Sequence, residues 1–287
     1  MWRKFYHRVQ WLYLIRRFLF DPVWDRYGLG FLSRVRILRR LLLHRSNRAA
    51  SMLYLTEILR YPSDLIGDVV ECGVWKGGIT VGLSIACKLA NRRLWVCDSF
   101  QGLPEPKEAD RRHHGIMMPL PSKAQTTRSG EEFENGVRVY RKGEYVGTRD
   151  EVQRNVTKWG EISACRFVPG WFKDSLPHAF DLDQRFVLAV IDVDLFESMR
   201  DCLVPLWPRM QPGARLYTDD GGELDIAAMF FERQWWKDQF GENPPGMIGA
   251  GFGINFFQAQ YSPIGLAVKG HALRSDDLAA ILYSNPD

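Results

Sequence analysis

No run in this chain is long and apolar enough to span a bilayer. The stretch Trp11-Leu12-Tyr13-Leu14-Ile15 is too short for the apolar core of a secretory signal, and Arg16 and Arg17 close it. A cleaved export signal is therefore not expected, and the chain reads as cytoplasmic. Cysteine is scarce: Cys72, Cys87, Cys97, Cys165 and Cys202 are odd in number and scattered through apolar runs. Their spacing fits neither a disulfide framework nor a zinc site, and suits reduced, buried thiols. There is no internal repeat, no Gly-x-Gly-x-x-Gly dinucleotide turn and no nucleic-acid recognition motif.

What is present is apolar mass and an uneven charge. With 46% hydrophobic residues and ten tryptophans in 287 residues, the chain can bury a sizeable core, as one large domain or one domain with an appendage. The net charge of +4 is a small remainder. Residues 1–48 carry twelve Lys/Arg against Asp21 and Asp25, about +10, so the rest carries about −6.

Residues 1–62 read as a basic helical extension broken at Pro22 and at Gly28–Gly30. Leu38, Leu41, Leu42 and Leu43 lie among Arg36, Arg39, Arg40 and Arg45, an apolar face beside a basic one. The direct expectation is a helical cap packed on the main domain or on a second subunit of a homo-oligomer. The alternative is peripheral contact of residues 1–48 with an anionic membrane through Trp2, Phe5, Trp11, Phe18 and the arginines. No nucleic-acid partner is expected.

From residue 63 to 287 strands alternate with helices. Strands are expected at Ile66–Cys72, Leu94–Cys97, Cys165–Val168, Phe186–Ile191 and Ala214–Thr218. Helices are expected at Gly78–Ala90, Thr148–Lys158, Ser198–Trp207 and across residues 223–240. Thr148 and Glu151 form a capping box. Gly253–Ala259 and Leu266–Lys269 are a candidate closing antiparallel pair. This alternation predicts an α/β fold with a doubly wound, mostly parallel sheet. Residues 101–147 lack periodicity and are rich in Pro, Gly, Ser, Arg and Glu, the mark of a lid or insertion.

Two acidic clusters close apolar runs: Asp192-Val193-Asp194 after Phe186–Ile191, and Asp219-Asp220 after Ala214–Thr218. Carboxylates are rarely buried unless paired or bound to a cation. Neighbouring parallel strands would set the clusters side by side at the carboxyl edge, where open α/β sheets bind ligands. Clustered oxygens there suit a hard cation such as Mg²⁺. Upstream, Glu71-Cys72-Gly73-Val74-Trp75-Lys76-Gly77-Gly78 puts an acid at a strand end and glycines where a ligand can approach a helix N-terminus. Asp98 closes the second strand, where an acid can accept from ribose hydroxyls or cap the following turn. His113-His114 falls in the lid, as a surface pair or as a base or hydroxyl contact on closure. Trp235-Trp236 reads as core or interface rather than as a substrate platform.

In this order the motifs resemble the macrocin O-methyltransferase family, the enzymes of tylosin and mycinamicin sugar methylation. The matching stretches are Val70–Gly78, Cys97-Asp98-Ser99-Phe100-Gln101-Gly102-Leu103-Pro104-Glu105-Pro106, Phe167–Pro177, Asp192–Ser198, Leu206–Gly213 and Asp219-Asp220, spanning roughly residues 65–240. The resemblance implies a class I, Rossmann-like methyltransferase fold, S-adenosylmethionine as methyl donor and Mg²⁺ as metal. It implies that Glu71, Gly73 and Gly77 shape the methionine pocket and that Asp98 holds the ribose. Ser99 and Phe100, with Gly170 and Trp171, would lie on the adenosine side, and Asp192, Asp219 and Asp220 would ligate the metal. Asp192 and His114 are the candidate catalytic groups, and the acceptor would be a sugar-bearing small molecule or glycan.

The chain departs from that pattern near the acceptor. Catechol O-methyltransferases, similar in their metal set, carry a lysine three residues after the first metal aspartate; here it is Leu195. Val193 replaces the usual glycine, Gly221-Gly222 replaces a Tyr-Gly, and the late strand reads Gly253-Ile254-Asn255-Phe256-Phe257 in place of a Tyr-Trp pair. Two other readings compete. One is an Asp-x-Asp glycosyltransferase, which has no use for the Glu71–Gly78 turn. The other is a non-catalytic membrane-surface adaptor on a methyltransferase scaffold, which does not need the full acidic set.

Overall fold

The apolar runs at Asp68–Cys72 (β1), Leu94–Asp98 (β2) and Phe186–Ile191 (β6) are covered on both sides and so carry little alternation. The computed structural model describes residues 2–43, 48–107, 110, 132–134, 137–251 and 264–270. Together with Cys165–Pro169 (β5), Met210–Thr218 (β7) and Gly265–Val268 (β8), these strands form a sheet of order β5-β2-β1-β6-β7-β8. All pairs are parallel except β7 with β8. The order reverses between β1 and β6, which opens the ligand crevice at their carboxyl ends.

The register fixes the site. Cys72 pairs with Ile191, and Ile191 pairs with Thr218, so Gly73, Asp192 and Asp219 leave three adjacent strands at one level. The two acidic clusters therefore do stand side by side, as their place after neighbouring strands predicts.

Helix α4 (Gly78–Leu89) is buried almost throughout, since it lies between the sheet and the N-terminal layer. That layer holds α1 (Trp2–Leu19), a 3₁₀ turn at Pro22–Tyr27, α2 (Phe31–Leu43) and α3 (Arg48–Arg60). Pro22 begins the turn and Gly28 ends it in the left-handed region at φ 61°, as the sequence breaks predict. A Cβ on Gly82 of α4 would lie 3.1 Å from the Ser51 carbonyl oxygen, so the bare glycine lets α3 and α4 pack closely. Charges tie the layer to the sheet. Glu57 of α3 receives the Arg215 guanidinium of β7, the Tyr217 hydroxyl (3.1 Å) and Arg60 Nη1 (2.7 Å), and Arg60 also holds Asp21.

The remaining helices are α5 (Arg149–Trp159), α6 (Phe172–Ala179), α7 (Phe196–Leu206), α8 (Leu224–Met229) and α9 (Arg233–Phe240). The Glu151 amide donates to Thr148 Oγ1 (3.2 Å), the predicted cap of α5. The single helix expected over 223–240 is two. Phe230 closes the first, and the Glu232 carboxylate accepts from the Trp235 amide (3.3 Å) and starts the second. Trp236 is fully buried, edge-on to Trp207 at 4.8 Å, so it is core as expected. Four of the cysteines are buried, Cys165 is partly so, and all five are free thiols.

Within the expected lid, Glu132–Glu134 (β3) and Val137–Val139 (β4) pair as an antiparallel ribbon. The Leu103 amide donates to the Glu144 carbonyl (2.8 Å) and the Gly143 amide to the Leu103 carbonyl (2.9 Å), so the insertion leaves and returns at one point. His113 and His114 lie outside the described residues, as does the Gly253–Ala259 half of the expected closing pair.

The Glu57 hub yields a stability test. Glu57→Ala leaves Arg215 and Tyr217 without their acceptor in a mostly buried setting. The expected loss is about 3 kcal/mol in urea denaturation, with Glu57→Gln losing clearly less.

Candidate active site

A cavity of about 780 Å³ opens at the carboxyl ends of β1, β2, β6 and β7. Of the residues singled out in the sequence, Glu71, Gly73, Asp98, Ser99, Trp171, Asp192, Asp219 and Asp220 line it. Gly77, Phe100 and Gly170 are not among its lining residues and act on the walls from behind.

The backbone around Gly73 explains the first turn. The Gly73 amide donates to the Cys97 carbonyl (3.0 Å) and the Asp192 amide to the Cys72 carbonyl (2.9 Å). Gly73 has φ 81°, and a Cβ there would lie 1.7 Å from the Asp192 carbonyl oxygen. Gly77, at φ 79°, starts α4, and a Cβ on it would press on Val152 of α5 at 3.0 Å. Trp75, also left-handed at φ 45°, turns its half-exposed ring edge-on to Tyr145 at 6.2 Å; both line the cavity mouth.

Asp98 clamps two turns together. Its Oδ2 accepts from the Val74 amide (2.7 Å) and its Oδ1 from the Phe100 amide (2.6 Å). The Trp75 amide and the Ser99 hydroxyl also lie against this carboxylate, which lines the cavity. Ser99 accepts from the Gln101 amide (3.0 Å) and donates to the Gly102 carbonyl (2.9 Å). This holds the turn in which Phe100, at φ 57°, packs on Phe167. The Gly170 amide donates to the Asp98 carbonyl (3.0 Å), which sets Trp171 at the head of α6 beside the same turn.

The second wall is acidic. Asp220 Oδ2 accepts from the Val193 (3.1 Å) and Asp194 (3.2 Å) amides and from the Thr218 hydroxyl (3.4 Å). It thereby fixes the loop in which Asp194 turns left-handed at φ 59°. Asp219 Oδ1 is buried with no hydrogen-bond partner, and so is Glu71 Oε2. Burial, then Asp219 and Asp220, hold the Asp192 carboxyl well above the usual carboxylate range. Burial and Asp194 push Asp219 up to about 6. Among the described residues no Lys, Arg or His pairs with Asp192, Asp219 or Asp220. Among the described residues no group of three or more His, Cys, Asp or Glu is placed to hold a metal ion. The donors are of the oxygen type a hard cation takes, with one orphaned buried oxygen on Asp219.

One residue of this site gave no sequence signal. Tyr54 of α3 is fully buried, its ring packs on Tyr217 at 5.1 Å, and its hydroxyl has no hydrogen-bond partner. Burial and the nearby Asp219 and Asp192 carboxylates push its phenol well up. Its position inside an apolar helical run marks it only as core. Leu195 is also buried, so the place of the catechol-type lysine is filled by an apolar contact.

The parallel sheet with its reversal at β1/β6, a glycine turn after β1 and acids at the ends of β2, β6 and β7 defines a class I methyltransferase fold. The calicheamicin methyltransferase CalS11 shares it, with a TM-score of 0.52 over 92% of both chains at 15% identity. Residues 54–238 match the family described as Macrocin-O-methyltransferase (TylF), and the chain belongs to that family. The demethyldecarbamoylnovobiocin O-methyltransferase of Streptomyces niveus is 33% identical over 159 residues, 54% of this chain and 52% of that protein. The mycinamicin III 3''-O-methyltransferase of Micromonospora griseorubida is 32% identical over 159 residues, 54% of this chain and 55% of that protein. This chain thus spans about half the length of the curated relatives it matches.

Glu71 gives a pH signature. Burial, partly opposed by the neighbouring Thr80, pushes its carboxyl from 4.5 up to about 8. Between those two values the folded protein holds a proton that the unfolded chain has released. Stability is therefore lost as pH rises through that window and is level above it. Denaturation of the ligand-free protein at about pH 5 and about pH 8 is expected to show a smaller loss in Glu71→Gln than in the parent. An equal loss in both would mean that Glu71 is ionised throughout.

Proposed function

We propose that the protein is an S-adenosylmethionine- and Mg²⁺-dependent O-methyltransferase acting on a hydroxyl of a sugar carried by a natural product or glycan. The observation that carries this reading is that one cavity unites the Glu71–Gly73 turn and Asp98 with Asp192, Asp219 and Asp220. Its volume of about 780 Å³ lies in the range of small-molecule sites. The names of the relatives, which methylate novobiocin- and mycinamicin-type compounds, support the acceptor class.

In this reading Glu71, Gly73 and Gly77 shape the methionine end. Asp98 accepts from the ribose hydroxyls, and the Ser99-Phe100 and Gly170-Trp171 turns bound the adenosine side. Asp192, Asp219 and Asp220 hold the metal. When bound, the donor supplies an electrophilic methyl on a sulfonium and leaves as a neutral thioether, while Mg²⁺ supplies a Lewis acid for the acceptor hydroxyl. The chain's own work is orientation and proton handling. The walls align acceptor oxygen and donor methyl in line. With Leu195 in place of a lysine, an Asp192 carboxylate oxygen not turned to the metal is the group assigned to take the hydroxyl proton.

Titration of the purified protein separates this from the glycosyltransferase reading. Saturable S-adenosylmethionine binding is expected, weakened about tenfold or more by Asp98→Ala through loss of charge-assisted hydrogen bonds. Saturable UDP-sugar binding with no S-adenosylmethionine binding would overturn the proposal. A methyl-transfer screen over glycosides, read as the mass of one added methylene, identifies the acceptor.

The metal assignment has its own check. Asp192→Asn and Asp219→Asn are each expected to abolish Mg²⁺-supported transfer by about 100-fold or more while leaving donor affinity within about threefold. Transfer that persists at the parental rate in chelator would remove the metal from the mechanism.

A further inference from the structure

Among the described residues the cavity draws its lining from residues 71–223 and none from 1–60. The outer face of the N-terminal helices therefore serves something else. On α1, Leu12, Tyr13, Arg16 and Arg17 are exposed, and so is Phe20 just past its end. Leu14, Phe18 and Leu19 are buried on its other side. At about 100° per residue the five exposed positions fall within an arc of about 140°. Helix α2 repeats the arrangement, with Leu32, Arg36, Arg39 and Leu43 exposed and Ile37, Leu38 and Leu41 buried. The Phe20 and Phe31 rings meet at 5.9 Å and join the two faces. Leu12, Phe20 and Leu32 are 66%, 64% and 69% exposed, more than a solvated helix needs to show.

Among the described residues, the arginines on this face have no internal ion pair. Arg34 is tied to Asp25 (2.6 Å) and Arg40 to Glu161 (2.9 Å), whereas Arg16, Arg17, Arg36 and Arg39 stand exposed among the apolar side chains. A surface that alternates large apolar groups with arginine matches a partner with an apolar interior beneath an anionic layer. A second copy meets that need poorly. Two such faces would oppose arginines in a segment of about +10, and the exposed apolar residues of the body, such as Ile66, Leu182 and Phe231, sit on separate elements. We propose that the outer face of α1 and α2 docks the protein peripherally on an anionic lipid bilayer, with Leu12, Phe20 and Leu32 entering the interface and the four arginines meeting lipid phosphates. This goes beyond the methyl-transfer reading and does not rest on it.

The test is flotation of the full-length protein with vesicles of phosphatidylcholine alone or mixed with phosphatidylglycerol. Co-flotation with the mixed vesicles only is expected, and its loss at about 1 M salt, where charges are screened beyond about 3 Å. The double variant Arg16→Glu/Arg17→Glu, on exposed positions, is expected to partition at least about tenfold more weakly. Leu12→Ser/Phe20→Ser tests the apolar half, and should it fail to fold the arginine pair still decides. S-adenosylmethionine binding by the arginine variant is expected to stay at the parental level. Absence of parental flotation with anionic vesicles, or undiminished flotation of the arginine variant, would overturn the proposal. So would a sedimenting dimer that the arginine variant dissociates, since that assigns the face to contact between copies.

Discussion

The site depends on one close approach, between Gly73 at the end of β1 and the Asp192 carbonyl at the end of β6. A Cβ at 73 would lie 1.7 Å from that oxygen, inside any contact a real side chain makes. The bare glycine lets the Asp192 amide reach the Cys72 carbonyl (2.9 Å), so parallel pairing runs to the last residue of both strands. It also brings the two ligand walls into one crevice, with Glu71 behind the turn and Asp192 across from it. The other arrangements follow: Asp98 clamping the Val74 and Phe100 amides, and Asp220 clamping those of Val193 and Asp194. Each wall is held by a carboxylate whose acceptors are turned first onto its own backbone.

That design concentrates negative charge where water is excluded. Asp192, Asp219, Asp220 and Glu71 are all pushed upward, with burial the largest cause in each. Buried like charges without partners are costly, and such groups hold protons or await a cation. Under the proposed function, a sulfonium donor and a divalent ion would bring positive charge to this cavity. The raised acidities are thus what a ligand-free form of such a site should display, and they place electrostatic work at binding rather than at folding alone.

Much of this was legible in the sequence. Phe186–Ile191 appears as a strand with the predicted bounds because it is apolar on both faces and ends at an acid. The adjacency of Asp192 and Asp219 followed from chain length between parallel neighbours. The glycines at 73 and 77 were legible as turns. What was not legible was set by tertiary contact. The break at Phe230–Glu232 escapes periodicity because Glu232 acts as a cap only once the Trp235 amide is placed against it. Asp98 presented two readings, ribose acceptor or turn cap; the cap contacts are present, and the carboxylate also lines the cavity. Tyr54 carried no signal at all, since its meaning comes from Tyr217 and Asp219, more than 160 positions along the chain.

Tyr54 also shows why the N-terminal layer is more than a cover. Helix α3 presents Tyr54 toward the acidic wall and, one turn later, Glu57 to Arg215 and Tyr217. Both contacts fall on β7, whose end carries Asp219 and Asp220. The anchor at Glu57 sets how β7 lies against the layer, and the Tyr54 ring packs on Tyr217 of the same strand. The basic layer and the acidic site are thus joined through one strand, with exposed arginines facing outward and the aromatic and acidic contacts facing in. The charge asymmetry of the sequence is the linear trace of that polarity.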